Sequence, residues 1–189
     1  KIGTIADLIQ FRVKNERTIS RLGSLKLDIL NTQFELITFT DSLNEGTHLA
    51  LVKGNINSEK PVHVRVQTQS RLGDLTFLVE KNSRSNIDKV IEFISKEESA
   101  VFVMLANYGR PDDVINTLED NISTETSSKS DDSLPMDWRK IGTGSQILRD
   151  LGVRKMKVIG QKHKYHAISG FGLEVIEHIQ LGKPSNGIK

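Results

Sequence analysis

Between residues 24 and 67 the chain alternates apolar and polar residues in short runs: LKLDIL, QFELITF, HLALVKG and VHVRVQ. Asn, Asp, Gly or Pro punctuates the gaps between them. This period of two is the strongest constraint on the fold. Successive side chains of a strand point to opposite faces, so such runs bury one face and wet the other. In Val62-His63-Val64-Arg65-Val66 the valines share a face, which predicts a half-buried strand with His63 in solvent. Runs this close together, with no helical stretch between them, predict an antiparallel sheet.

On either side the period is helical. Residues 4–20 suit a helix that Thr4 can cap, with Ile5, Leu8, Ile9 and Val13 on one face. That stripe would pack on its own domain, on a missing neighbouring domain or on a second subunit. Gly23 ends the pattern. From Ser85, a plausible N-cap, Ile87, Val90, Ile91 and Ile94 form the apolar face of a second helix. The continuous apolar run AVFVMLA, residues 100–106, predicts a strand covered on both faces. A short helix is expected over 112–121. Residues 122–134, rich in Ser and Thr, are expected to form a mobile loop. A further helix is expected over 143–151, ending at Gly152 as C-cap, and strands over 154–160 and 173–179. The fold class is therefore α+β, with a β-rich N-terminal half followed by mixed helices and strands.

Composition excludes several classes. The chain of 189 residues is 37% apolar and 26% charged, as suits a water-soluble domain with a core. No apolar run reaches the ~18 residues of a membrane span, and no signal peptide is visible, so no membrane partner and a cytoplasmic location are expected. A formal net charge of +2 gives no reason to expect nucleic acid. The chain contains no cysteine, which removes disulfides, thiolate metal sites and a thiol nucleophile. His163 and His166 lie three apart, but Lys162 and Lys164 beside them disfavour a dication. Ser70 has no evident His–Asp partners for nucleophilic catalysis.

Two stretches, WRKIGTGSQILRDLGVRKMKVIG and the later GFGLEVIEHI, closely resemble the C-terminal part of GTP cyclohydrolase II. More specifically they resemble the cyclohydrolase half of riboflavin-synthesis proteins whose N-terminal half is 3,4-dihydroxy-2-butanone 4-phosphate synthase. KIGTIADLIQFRVKNE is similar to the last helix of that synthase half, and HLALVKGNI to the start of the cyclohydrolase half. The resemblance implies a GTP cyclohydrolase II-like fold. It divides the chain into 1–22, a C-terminal helix and linker of a missing synthase domain; 23–181, the cyclohydrolase-like domain; and 182–189, a tail. The chain lacks an initiating Met and reads as a fragment of such a fusion.

The family opens the imidazole ring of GTP, releasing formate and pyrophosphate, and uses a water activated by a zinc held by three cysteines. The resemblance places those cysteines at Ser70, Lys81 and Ser83. A neutral hydroxyl is a poor zinc ligand and an ammonium repels the ion, so zinc is expected to be absent and no cofactor is expected. In the family's substrate-contacting stretch, Gly109 and Arg110 match while Tyr108 stands where an acid is expected. The Asp and Arg that the family uses for proton transfer and phosphate attachment match Asp137 and Arg139. The stretch that helps hold the nucleotide corresponds to residues 160–164 and shares almost nothing with it. Gly142, Gln146, Leu151 and Gly152 match as packing and turn positions.

Two functions follow from this pattern. The first is a non-catalytic domain that supports or regulates a covalently linked synthase. The second is an enzyme with residual or altered nucleotide hydrolysis through Asp137 and Arg139. Arg65 and Arg110 are candidate substrate contacts, and with Arg71 and Arg84 they could gather into an anion site for a residual nucleotide or phosphate. The resemblance also implies a homodimer.

Overall fold

A computed structural model describes residue 11 and residues 16–42, 46–68, 84–106, 138–160 and 168–181. Among the described residues seven strands form one sheet: β1 (Ile19–Ile29), β2 (Thr32–Asp41), β3 (Thr47–Lys53), β4 (Val62–Thr68), β5 (Ala100–Leu105), β6 (Lys155–Ile159) and β7 (Glu174–Ile179). Two helices, α1 (Arg84–Ile94) and α2 (Trp138–Asp150), and a 3-10 turn, Ile168–Phe171, complete the described elements. The arrangement is a mixed α+β one.

The spatial order is β1-β2-β3-β5-β4-β6-β7. β1, β2, β3 and β5 pair antiparallel. β4 pairs parallel with both β5 and β6, and β6 pairs parallel with β7. The expected antiparallel sheet thus holds for the first three runs and fails for the fourth. Antiparallel neighbours need only a short turn, and β1–β2 has one, Leu30-Asn31, with both residues at positive φ. β4 is instead followed by α1 before β5, and a strand–helix–strand crossover leaves its strands parallel. β5 then enters between β3 and β4.

The N-terminal helix expected through Ser20 gives way by Ile19, where β1 begins. Gly23 does not break the chain between elements. It stands beside a register shift inside β1, between Arg21 and Gly23. Residues 4–10 and 12–15 of that helix, and the expected features over 112–121 and 122–134, lie outside the described residues.

Side-chain alternation splits the core into two layers. On one face Ile37, Phe39, Ala50, Val62, Val64, Val101 and Val103 pack with Ile147 and Leu148 of α2. On the other, Phe34, Leu51 and Phe102 pack with Val90 and Ile94 of α1. Burying each of these side chains other than Ala50 contributes roughly 1.5–3 kcal/mol of transfer free energy before chain entropy is charged against it. β5 supplies both layers, as its unbroken apolar run requires. Ile87, in the first turn of α1, remains exposed, so the apolar face of that helix is shorter than its pattern. Beyond its C-terminal end, Lys53 Nζ donates to the carbonyls of Ser95 and Glu97 at 2.6 and 2.5 Å, placing a cation where carbonyl oxygens gather. Gly152 (φ 90) closes α2 as expected: Val153 N–H donates to Leu148 O at 3.0 Å and Gly152 N–H to Arg149 O at 3.1 Å.

His63 is not in open solvent. Its ring meets Phe93 edge-on at 5.5 Å, and Nδ1 lies 3.3 Å from Glu97 Oε2. The polar face of β4 is roofed at this point by α1 and the residues after it, which alternation within β4 does not reveal.

Candidate functional site

β4, β5 and β6 run parallel, so Thr68, Leu105 and Ile159 end on the same side of the sheet. Open α/β sheets bind ligands outside such carboxyl ends, because the connecting segments diverge there. Here the early turns of α2 approach the same end. Between them lies a cavity of about 190 Å³. Its walls are apolar, from Val64, Val66, Leu105, Leu148, Met156 and Val158. Its polar lining is Arg65, Thr68, Lys140 and Ser145. Gly144 lets α2 come close: a Cβ there would stand 3.4 Å from Val66 Cγ1 and 3.6 Å from Leu105 Cδ1. An apolar chamber with two cations in its lining can take a small group carrying negative charge. It is smaller than the ~300 Å³ at which small-molecule pockets commonly start.

Arg65 is held in place. Its Nη1 donates to Ile159 O at 2.9 Å, while Nε is buried without a hydrogen-bond partner. The guanidinium lies over Gly160, where a Cβ would come within 2.6 Å of Nη1. The glycine after β6 therefore makes room for an arginine from β4.

Beside the cavity lies a buried polar group that the sequence reading missed. His48 is fully buried, and its Nδ1 accepts the Ala106 N–H at 3.0 Å. Burial lowers the pKa of His48, and the nearby Asp41 carboxylate offsets part of that shift by raising it. Asp41, also buried, accepts from Thr143 Oγ1 of α2 at 3.0 Å. Gln146 Oε1 accepts the Thr18 N–H at 2.9 Å. These contacts tie α2 to the antiparallel half of the sheet and fix the backbone where β5 ends. The signal for them was present. His48, Ala50 and Val52 occupy one face of β3, and Ile37, Phe39 and Asp41 one face of β2, so a His and an Asp stand in register with core residues. An exposed cluster lies nearby, where Asp150 receives Arg17 at 2.5 Å and Arg21 at 2.6 Å.

Of the candidate site residues, Arg65 is described, and it lines the cavity. Arg139 lies in the first turn of α2 and Arg84 begins α1; only their backbone is described. Ser70, Arg71, Lys81, Ser83, Arg110, Asp137, His163 and His166 lie outside the described residues. Among the described residues no group of three or more His, Asp or Glu is placed to hold a metal. A site built from thiolates cannot be assembled from this chain, because it has none to offer. Among the described residues no helix is long and apolar enough to cross a membrane.

Comparison with known proteins gives a consistent picture. The sequence profile of the family described as GTP cyclohydrolase II matches residues 21–180. A 3,4-dihydroxy-2-butanone 4-phosphate synthase of Photobacterium phosphoreum is 38% identical over 180 residues, covering 95% of this chain and 48% of that protein. The riboflavin biosynthesis protein RibBA of Aquifex aeolicus is 34% identical over 191 residues, covering 96% and 46%. The crystal structure of RibBX, a two domain 3,4-dihydroxy-2-butanone 4-phosphate synthase from A. baumannii, superposes with a TM-score of 0.58 at 32% identity, covering 94% of this chain and 45% of that one. The chain thus spans about half the length of the relatives it matches.

Proposed function

Because the chain belongs to the GTP cyclohydrolase II family, we propose that it is the cyclohydrolase-like part of a riboflavin-pathway fusion protein and has lost the family's reaction. Its role is then structural or regulatory toward a covalently linked 3,4-dihydroxy-2-butanone 4-phosphate synthase. The observation that carries this reading is the complete absence of cysteine. The reaction the family performs needs a water made nucleophilic near neutral pH, and the resemblance assigns that task to a zinc on three thiolates. Ser70, Lys81 and Ser83 stand at those positions. Serine hydroxyls stay protonated and lysine carries positive charge, so the set does not fit zinc.

Two further observations support the reading. Relatives matched over nearly the whole of this chain bear the name of the synthase alone, and one is described as a two-domain form of it. The scaffold is also well packed around α2, the helix where the resemblance is most specific. A fold kept while its metal chemistry goes is suited to holding or modulating a neighbour.

The test measures zinc by elemental analysis and formate release from GTP. The expected result is metal far below one equivalent and no formate. Zinc near one equivalent, or turnover of GTP, would refute the loss of activity. A thermal-shift series with GTP, GDP and pyrophosphate at millimolar concentration separates the second reading, residual nucleotide chemistry at Asp137 and Arg139; no shift counts against it. The regulatory role is tested by comparing synthase rates of the full fusion and a truncated form lacking this domain. Equal rates and equal stability would remove it.

A further inference from the structure

β1 forms one edge of the sheet, and among the described residues it pairs only with β2. It has eleven residues, where strands commonly have about five or six. Natural edges are usually short, covered or heavily charged, because a long apolar edge invites another strand. This one is open: residues 20–26 are all exposed. Leu22, Leu25 and Leu30 are 62%, 60% and 61% exposed. Leu25 and Leu27 stand opposite Leu36 and Phe34, so they extend the apolar layer beneath α1 out to the edge. Leu30 adds a second irregularity. It holds φ 52, a conformation L side chains disfavour, at an exposed hairpin turn where Asn or Gly is usual.

We propose that β1 pairs antiparallel with β1 of a second copy of this chain, about a twofold axis through Leu27, joining two sheets into one. The residues of the strand select that register. With the axis normal to the sheet, centring on Leu27 sets Lys26 opposite Asp28 of the second copy, and Asp28 opposite its Lys26. Leu25 then faces Ile29, and Leu27 faces Leu27, on the apolar side. Centring on Lys26 or on Asp28 would oppose like charges, and centring on Leu25 would set Leu27 against Gly23 and Lys26 against Ser24. The ends agree with the same centre. A register shift at Arg21/Gly23 bounds the regular strand on one side, and the turn at Leu30-Asn31 bounds it on the other. The span from Gly23 to Asn31 has Leu27 at its middle. In this register Leu30 lies opposite Ser24 of the second copy, and the exposed Leu25 of each copy is covered by Ile29 of the other. The surface stands on β1 alone, and its failure would leave the proposed loss of cyclohydrolase activity untouched.

The experiment is sedimentation equilibrium of the 189-residue chain and of Lys26→Asp, Asp28→Lys and the double exchange. Both positions are exposed; Asp28 faces the neutral Gln33 within its own sheet, so its variant adds no like-charge neighbour there, whereas Lys26 faces Glu35, so the fold of the Lys26→Asp and double variants is checked by circular dichroism beside the parent. The expected result is a dimer of twice 21.2 kDa. Each single exchange turns paired opposite charges into like ones and should weaken association about tenfold or more, with the double exchange restoring it. Three results would overturn the proposal. One is a monomer at about 100 µM, which would mean that another domain or partner covers this face. Another is a dimer indifferent to both single exchanges. The last is a dimer that the double exchange fails to rescue.

Discussion

The buried His48 should make stability fall as the solution becomes mildly acidic. Its Nδ1 accepts the Ala106 N–H, so the ring is held neutral with its proton on the other nitrogen. Protonating Nδ1 would break that bond and bury a charge. Burial accordingly lowers the folded-state pKa from 6.5, against a smaller opposing effect from Asp41. A lowered pKa means that the unfolded chain takes up the proton first. The stabilisation is full above pH 6.5 and is lost progressively as the pH falls from there to the folded pKa. Within that window the slope approaches about 1.4 kcal/mol per pH unit. Other groups titrate in the same range, so the informative quantity is the difference from His48→Asn. That variant keeps an acceptor near Nδ1 but cannot titrate. It should be less stable than the parent near neutral pH by about 1–3 kcal/mol, from lost ring volume. Urea unfolding at several pH values from about 7.5 down to about 5 should show the gap between the two proteins closing. Parallel pH dependences would refute the account of His48 as a buried neutral acceptor.

Two predictions concern backbone conformation. Replacing Leu30-Asn31 by Asn-Gly should stabilise the chain by about 1 kcal/mol in urea titrations, because it relieves a branched residue at φ 52. Under the pairing proposed for β1 the same change should also weaken dimerisation, so stability is read at concentrations where the chain is monomeric. Gly54→Ala should cost at least about 2 kcal/mol: φ is 70, and the new Cβ would fall 2.1 Å from Glu98 O, a backbone atom that cannot swing away. A thermal midpoint unchanged by Gly54→Ala would mean that the segment after β3 rearranges freely.

Much of the fold was legible in the residues. The runs around Leu27, Phe34, Ala50 and Val64 announced strands because each alternates, and α1 announced itself by helical spacing; α2 was expected only from residue 143, although it begins at Trp138. The unbroken run Ala100–Leu105 predicted a strand with two covered faces, and β5 feeds both core layers. Gly152 as the cap of α2 was readable because only glycine takes that conformation cheaply. Less of the site was legible. Arg65, a candidate from its alternation on β4, lines the cavity, whereas Ser70, Lys81 and Ser83 lie outside the described residues.

What the sequence determined by itself was therefore local: periods, caps and the donor atoms available to a ligand. Only the tertiary structure decided which strands neighbour each other. Nothing within VHVRVQ says that it runs parallel to β5 and β6, because direction depends on the connection that follows and on partners 37 and 94 residues away. The cavity between α2 and the carboxyl ends of those strands exists only because of that pairing. The same holds for Arg65, which reaches Ile159 O across 94 residues of chain, and for His48, which meets Ala106 across 58. Contacts at such separations depend on packing the sheet as a whole, and a linear pattern carries no distance of that kind.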